Sequence, residues 1–296
     1  MSLFGTSGIR GDPQTLFTRQ FCFDIGRAFA LFLSRHEVSG PVALGYDPRK
    51  SSPDLLKSVA DGLIYENRPV LYQGVVPIPS LNWLLKSAPI AASVMVSGSH
   101  IAEHLNGLKF FAFKGEILKE HEAEIEAIWQ KISGQTPAVS RAKKMKENYS
   151  AGKLYEEMLV GLANPPYPQW QVVVDAGNGC QSEVMPSVLR RLGLKVIEIN
   201  TDTKGPFKGK DTETQEAVWE LQAAVRAKRA DFGLAYDYDG DRVVFVDNLG
   251  QFIPGDYSGA LLAKEMEGEV IVTPITTSAV IDKIGKKIIR TMVGSP

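Results

Sequence analysis

Short apolar runs, each followed by a stretch with helical spacing, recur along this chain and leave it few folds to choose from. Val42-Ala-Leu-Gly-Tyr46 ends in Asp47-Pro-Arg-Lys-Ser-Ser-Pro53, and residues 55–65 then carry helical spacing. Residues 70–76 and 91–96 read as further strands, the second running straight into Ser97-Gly-Ser-His100. Residues 120–132 read as a charge-laced amphipathic helix. Strands that alternate with helices predict an α/β fold: successive three-layer α/β/α domains around mixed, largely parallel sheets.

Turn-rich Ser133-Gly-Gln-Thr-Pro-Ala138 and the basic run Arg141-Ala-Lys-Lys-Met-Lys146 place a domain boundary near residue 148. The first unit is thus 1–148. A second, 149–250, offers strands at 171–175, 195–199, 232–236 and 243–246, with helices at 183–192 and 213–228. The third, 251–296, offers helices at 257–265 and 277–284 and strands at 270–272 and 287–290. A unit so short, with an exposed sheet edge, buries little core alone. Its pattern fits an incomplete domain and a docked extension equally well.

Charge narrows the function classes. Thirty-three basic residues nearly cancel thirty-four acidic ones, so the net charge of −1 gives no bulk field for nucleic acid. The basic run 141–146 reads as a solvated linker or helix face. Any anion must be held by local groups. Cys22 and Cys180 form no disulfide framework or metal spacing, which suits the reduced thiols of a cytoplasmic enzyme. No apolar stretch approaches the ~20 residues of a membrane helix, and no signal-like region opens the chain.

Four local patterns suggest chemistry. In Asp237-Tyr-Asp-Gly-Asp-Arg242, three carboxylates alternate in a turn between apolar strands. Their repulsion is costly unless a cation gathers them, and hard oxygen donors suit Mg²⁺. A solvated acidic turn is the plainer alternative. An EF-hand fails, because Arg242 replaces the required Gly and Asn248 the final Glu. Ser99, beside His100 at a strand's carboxyl end, suggests an activated hydroxyl or phosphate acceptor, or simply a Ser/Gly turn. No Gly-x-Ser-x-Gly elbow supports a serine hydrolase. Phe4-Gly-Thr-Ser-Gly-Ile-Arg-Gly11, where Arg10 could grip a phosphate, and Asp47-Pro-Arg49, which could orient Arg49, are weaker signals; a flexible N-terminal turn and a turn capping the helix at Pro53 are the plainer readings. Asp175-Ala-Gly-Asn-Gly179 imitates a dinucleotide fingerprint, but Ser182 stands where the third Gly belongs.

Taken in order, these motifs resemble the α-D-phosphohexomutases, the phosphoglucomutase/phosphomannomutase family. The N-terminal Phe4–Gly11 motif and Gly45-Tyr-Asp-Pro-Arg-Lys-Ser-Ser52 look like family segments, Ser99-His100 followed by Asn106-Gly107 and Lys109 matches the phosphoserine loop at the same spacings, Asp175–Gly179 fits the start of the second domain, and Asp237–Arg242 matches the metal loop residue for residue. The resemblance covers essentially the whole chain. It implies reversible phosphoryl transfer on a hexose phosphate, between the 1- and 6-positions of glucose or mannose, through a phosphoserine and a hexose 1,6-bisphosphate. It implies catalytic roles for Ser99, His100, Lys109 and Arg10, and phosphate binding by Arg10, Arg49 and Arg242. Mg²⁺ would be held by Ser99, Asp237, Asp239 and Asp241. Two segments depart from the family: Ile101-Ala102 stands where Asn-Pro is usual, and Gly205-Pro-Phe-Lys-Gly-Lys-Asp-Thr212 replaces a proline-rich run. The family's sugar-reading loop and fourth domain are not in the sequence, so the resemblance reads the third unit as incomplete. A non-catalytic relative, or one half of a split mutase completed by a partner chain or by self-association, is the alternative expectation.

Overall fold

The computed structural model describes residues 3–5, 7–140, 146–148, 150–209, 211–212 and 214–293. Most of the basic run, 141–145, and Glu213, where a helix was expected to start, lie outside the described residues.

The first sheet contains β1 (Ile9–Gly11), β2 (Val42–Tyr46), β3 (Val70–Val75), β4 (Ala92–Val96), β5 (Asn106–Ala112), β6 (Gly115–Glu116) and β7 (Lys146–Glu147). Its order is β1-β5-β4-β2-β3-β7, with β6 paired to β5. Strands β2, β3, β4 and β7 are parallel, whereas β5 is antiparallel to β4 and β1 antiparallel to β5. Alternation along each strand sends successive side chains to opposite faces. Val42, Leu44, Val94 and Val96 pack with α1 (Arg19–Arg35), α2 (Ser52–Tyr65) and α4 (Lys119–Ile132). Ala43 and Met95 face the other way, toward α3 (Ile78–Ser87). Cover on both faces is why these strands are apolar at consecutive positions. α1 and α2 touch through glycines: a Cβ on Gly62 would stand 2.0 Å from the Phe23 carbonyl oxygen, and one on Gly26 2.3 Å from that of Val59.

The second sheet orders β12 (Phe252–Ile253), β11 (Val243–Val246), β10 (Phe232–Tyr236), β8 (Gln171–Asp175) and β9 (Lys195–Ile199) in that sequence. β8, β9 and β10 are parallel, and β11 and β12 return antiparallel. Leu189 of α6 (Val184–Arg191) packs on Val172, Val174 and Leu234, while Leu221 and Val225 of α7 (Trp219–Lys228) pack on Val173, Ala235 and Val244. The helix expected over 213–228 is divided: a 3-10 turn, Glu216–Val218, precedes α7. Between the sheets, α5 (Ser150–Leu162) packs against both α3 and α6. The cut expected near residue 148 falls just before this shared helix.

The last segment pairs β13 (Val270–Pro274) with β14 (Lys287–Thr291) in parallel beside α8 (Gly255–Glu265). Its small core gathers Ala260, Ala263 and Ile281. A 3-10 turn, Ala279–Lys283, stands where a full helix was expected over 277–284. Gly285, at a φ of 81°, follows the turn and ends it. These features confirm the α/β class with mixed sheets. No helix among the described residues is long and apolar enough to cross a membrane.

Candidate active site

Two turns, one from each large sheet, face each other. The first follows β4. Its Ser97 and Ser99 are buried, and β5 returns alongside with Lys109 opposite Met95. Ser99 adopts a φ of 51°, a left-handed conformation that side-chain-bearing residues rarely take. Its N–H donates to Ser97 Oγ at 2.8 Å. The second turn joins β10 to β11. Gly240, at a φ of 71°, donates its N–H to the Asp237 carbonyl at 3.1 Å, which tightens the turn. Asp237 and Asp239 are fully buried; Asp241 is partly exposed.

The turns are joined by short contacts. Ser99 Oγ donates to Asp237 Oδ2 at 2.9 Å and lies 3.3 Å from His100 Nδ1. Ser97 Oγ lies 2.8 Å from Asp47 Oδ2 and 3.2 Å from Asp239 Oδ2. Lys109 Nζ donates to Asp239 Oδ2 at 2.9 Å and to Asp241 Oδ2 at 3.3 Å. At the start of α3 the Ile78 N–H donates to the Asp239 carbonyl at 3.0 Å.

Charge is concentrated here. Burial, with Asp239 and Asp241 adding repulsion, pushes the Asp237 carboxyl up to about 9. Burial also opposes ionisation of Asp239, but the Lys109 ammonium and its hydrogen bond outweigh it and hold that carboxyl below the usual range. For Lys109, burial works against the charge, while Asp239 and Asp241 outweigh burial and raise its pKa. Burial, then the Arg242 and Arg10 charges, lowers His100 and keeps its ring neutral near pH 7. The three carboxylates offer oxygens all within 4.8 Å of one another. Asp239 Oδ1 is buried with no hydrogen-bond partner among the described residues. Three acids against one ammonium, with an orphaned acceptor, fit a hard metal cation.

Arg49 corrects the sequence reading. It was expected to grip a substrate phosphate, yet it is 3% exposed and all five of its N–H donors are used within the protein. Nε donates to Asp47 Oδ2 at 3.0 Å. The terminal nitrogens donate to the carbonyls of Ser99, Ile101, Ala102 and Leu105 at 2.7, 2.8, 2.7 and 3.1 Å. Asp47, fully buried, also accepts from Ser52 Oγ and the Gly98 N–H. Burial raises its pKa even though Arg49 and the Ser52 and Ser97 hydroxyls pull the other way.

Ser99, Lys109, Arg10, Asp241 and Arg242 all line one cleft of about 770 Å³. Register places Arg10 on β1 opposite Gly107 of β5, and its Nε is buried without a partner among the described residues. Lys86 and Lys114 join the lining, so among the described residues five basic groups there face two acids, Glu116 and Asp241. That local excess suits an anion on a protein of nearly zero net charge. Lys86 and Lys114 escape sequence reasoning because an exposed lysine on a helix or turn gives no signal of its own.

The family model described as "Phosphoglucomutase/phosphomannomutase, alpha/beta/alpha domain I" matches residues 1–136, and that for "alpha/beta/alpha domain II" matches 155–250. A "Probable phosphoglucosamine mutase" of Methanobrevibacter smithii is 31% identical over 294 residues, covering 99% of this chain and 65% of that protein. A "Phosphoglucomutase/phosphomannomutase" of Thermococcus kodakarensis is 33% identical over 313 residues, with 99% and 67% covered. Among solved structures, a phosphoglucomutase/phosphomannomutase family protein from Burkholderia thailandensis superposes with a TM-score of 0.83 at 25% identity, covering 99% of this chain and 66% of that one. The chain thus spans about two thirds of the length of such relatives. By family model, sequence and fold together, it belongs to the phosphoglucomutase/phosphomannomutase family, the α-D-phosphohexomutases.

Proposed function

We propose that the protein moves a phosphoryl group between a hexose phosphate and Ser99, as the serine-centred half of a phosphohexomutase cycle. One observation carries the reading. Ser99 Oγ, three clustered carboxylates and Lys109 converge on the edge of a cleft whose charged lining is mostly cationic, with Arg10, Lys86, Lys114 and Arg242 beside them. Phosphoryl transfer asks a protein mostly for positioning and charge neutralisation, and this arrangement supplies both.

Asp237, Asp239 and Asp241, with an oxygen on Ser99, would hold Mg²⁺, which when bound offsets phosphate charge. Arg10 and Arg242 line the cleft and hold the transferring group. In transfer to the sugar, the bond from Ser99 Oγ to phosphorus breaks and the sugar oxygen takes the phosphoryl group. The sugar's proton leaves to a base, and Ser99 Oγ regains a proton. Lys109, held as an ammonium, suits the donor to Ser99 Oγ. Neutral His100, 3.3 Å from Ser99 Oγ, suits the base that takes the sugar's proton. The return step reverses these moves. Glucose, mannose and glucosamine phosphates are the candidate substrates, and the names of the relatives put glucosamine phosphate first.

The test is phosphosite mapping by mass spectrometry after incubation with Mg²⁺ and glucose 1,6-bisphosphate, beside Ser99→Ala. Phosphate on Ser99, absent from the variant, is the expected result. A wild-type Ser99 that stays bare would sink the proposal and leave a binding or regulatory relative as the better reading.

A further inference from the structure

We infer that Phe207, from the loop beyond β9, is a positioning residue for Ser99 that acts through the Arg49 guanidinium. The inference rests on the phosphoserine reading of Ser99 given above. Arg49 spends the edge of its plane on the four carbonyls of residues 99, 101, 102 and 105. Its face is covered from the other sheet's side: the Phe207 ring centroid lies 4.7 Å from Cζ and that of Tyr238 5.5 Å. The two rings also pack on each other, with centroids 4.6 Å apart. A guanidinium stacked on aromatic rings is shielded from water, and its edge bonds are correspondingly strong.

The loop needs that hold. Residues 102–104 are exposed and no proline stiffens the turn. Its internal backbone bonds are Ile101 N–H to Gly98 and Leu105 N–H to Ala102. Ser99 keeps a φ of 51° against its own preference. Stripping the ring from Arg49 admits water to the guanidinium, weakens four carbonyl bonds together, and lets Ser99 relax away from Asp237. Phe207 is itself seated. Lys208 pairs with Glu220 at 2.8 Å, and Asn178 Nδ2 donates to the Pro206 carbonyl at 2.8 Å. A Cβ on Gly209 would stand 2.2 Å from Phe207 Cζ, so glycine there leaves room for the ring. The placing of the 205–209 segment thereby sets the geometry of a serine more than a hundred residues earlier.

Hydrogen exchange by mass spectrometry on the whole chain with Mg²⁺, combined with the rate of Ser99 phosphorylation by glucose 1,6-bisphosphate, tests this. For Phe207→Ala the expected results are exchange in residues 98–105 and a phosphorylation rate each changed by about tenfold, faster and slower respectively, with β8 and β10 unaffected. Phe207→Tyr keeps a ring and is expected to match wild type. Gly209→Ala displaces the ring without deleting it and is expected to loosen the same loop; it decides the matter if Phe207→Ala loses β8 and β10 protection. Wild-type exchange and phosphorylation rates in both disruptive variants overturn the inference. A wild-type protein that takes no phosphate counts against the phosphoserine reading alone, because the exchange comparison still judges Phe207.

Discussion

Gly98 and Arg49 compete for one volume. A Cβ at position 98 would lie 2.7 Å from Arg49 Cζ and 2.8 Å from its Nε. Gly98→Ala must therefore push a buried guanidinium off its carbonyls. The expected cost is about 1–3 kcal/mol in denaturant melts, with less phosphate on Ser99. An unchanged midpoint would show that the guanidinium has room to move. Lys109 makes a second test. Lys109→Met leaves Asp239 buried without its countercharge, which costs about 3–5 kcal/mol in chelator. Mg²⁺ is then expected to restore more thermal stability to the variant than it adds to wild type; equal gains would argue that ammonium and cation do not share the carboxylates. The chemistry of Ser99, Lys109 and the three aspartates is legible in sequence because each motif is contiguous. What Arg49 does is not. Its donors end on carbonyls about fifty residues further on, and a carbonyl is carried by every residue type alike.

Elements differ in how openly they declare themselves. β2, β4, β8 and β10 announce themselves as apolar runs between turns, since both faces of each are covered. β5 does not, because Asn106, Gly107 and Lys109 are polar or small for reasons of the site. α1 is missed although its period is legible: Gln20, Asp24, Arg27 and Ser34 form a polar stripe at helical spacing on a helix otherwise largely buried. Its contact with α2 is correspondingly intolerant. Gly62→Ala drives a methyl into the Phe23 backbone and is expected to cost about 3 kcal/mol, read as a lowered thermal midpoint. By contrast, Arg191 of α6 pairs with Glu156 and Glu157 of α5 at 2.9 Å, and its side chain is 37% exposed. Arg191→Ala is expected to cost less than about 1 kcal/mol, and a larger loss would mean that this pair does more than decorate the α5–α6 contact.

At the scale of the molecule, the candidate site belongs to neither sheet. The first supplies the serine and the lysine, the second the acids, and α5 and the Ile78 N–H tie the two together. We place the divisions near residues 148 and 250, and expect a ligand of the acidic turn to stabilise both large units at once. Mg²⁺ at a hundredfold its dissociation constant should add about 2.7 kcal/mol, and a single shifted melting transition is the expected signature. Two transitions, with only one responding, would count against that coupling. The pairing of Lys109 with Asp239, 130 residues apart, also has a history within every synthesis of the chain. At a few to ~20 residues per second, a ribosome delivers the lysine on the order of ten seconds before the acid that neutralises it. For that interval the ammonium on the fifth strand faces a cleft still open to water, and its burial and its pairing come together when the acidic turn arrives.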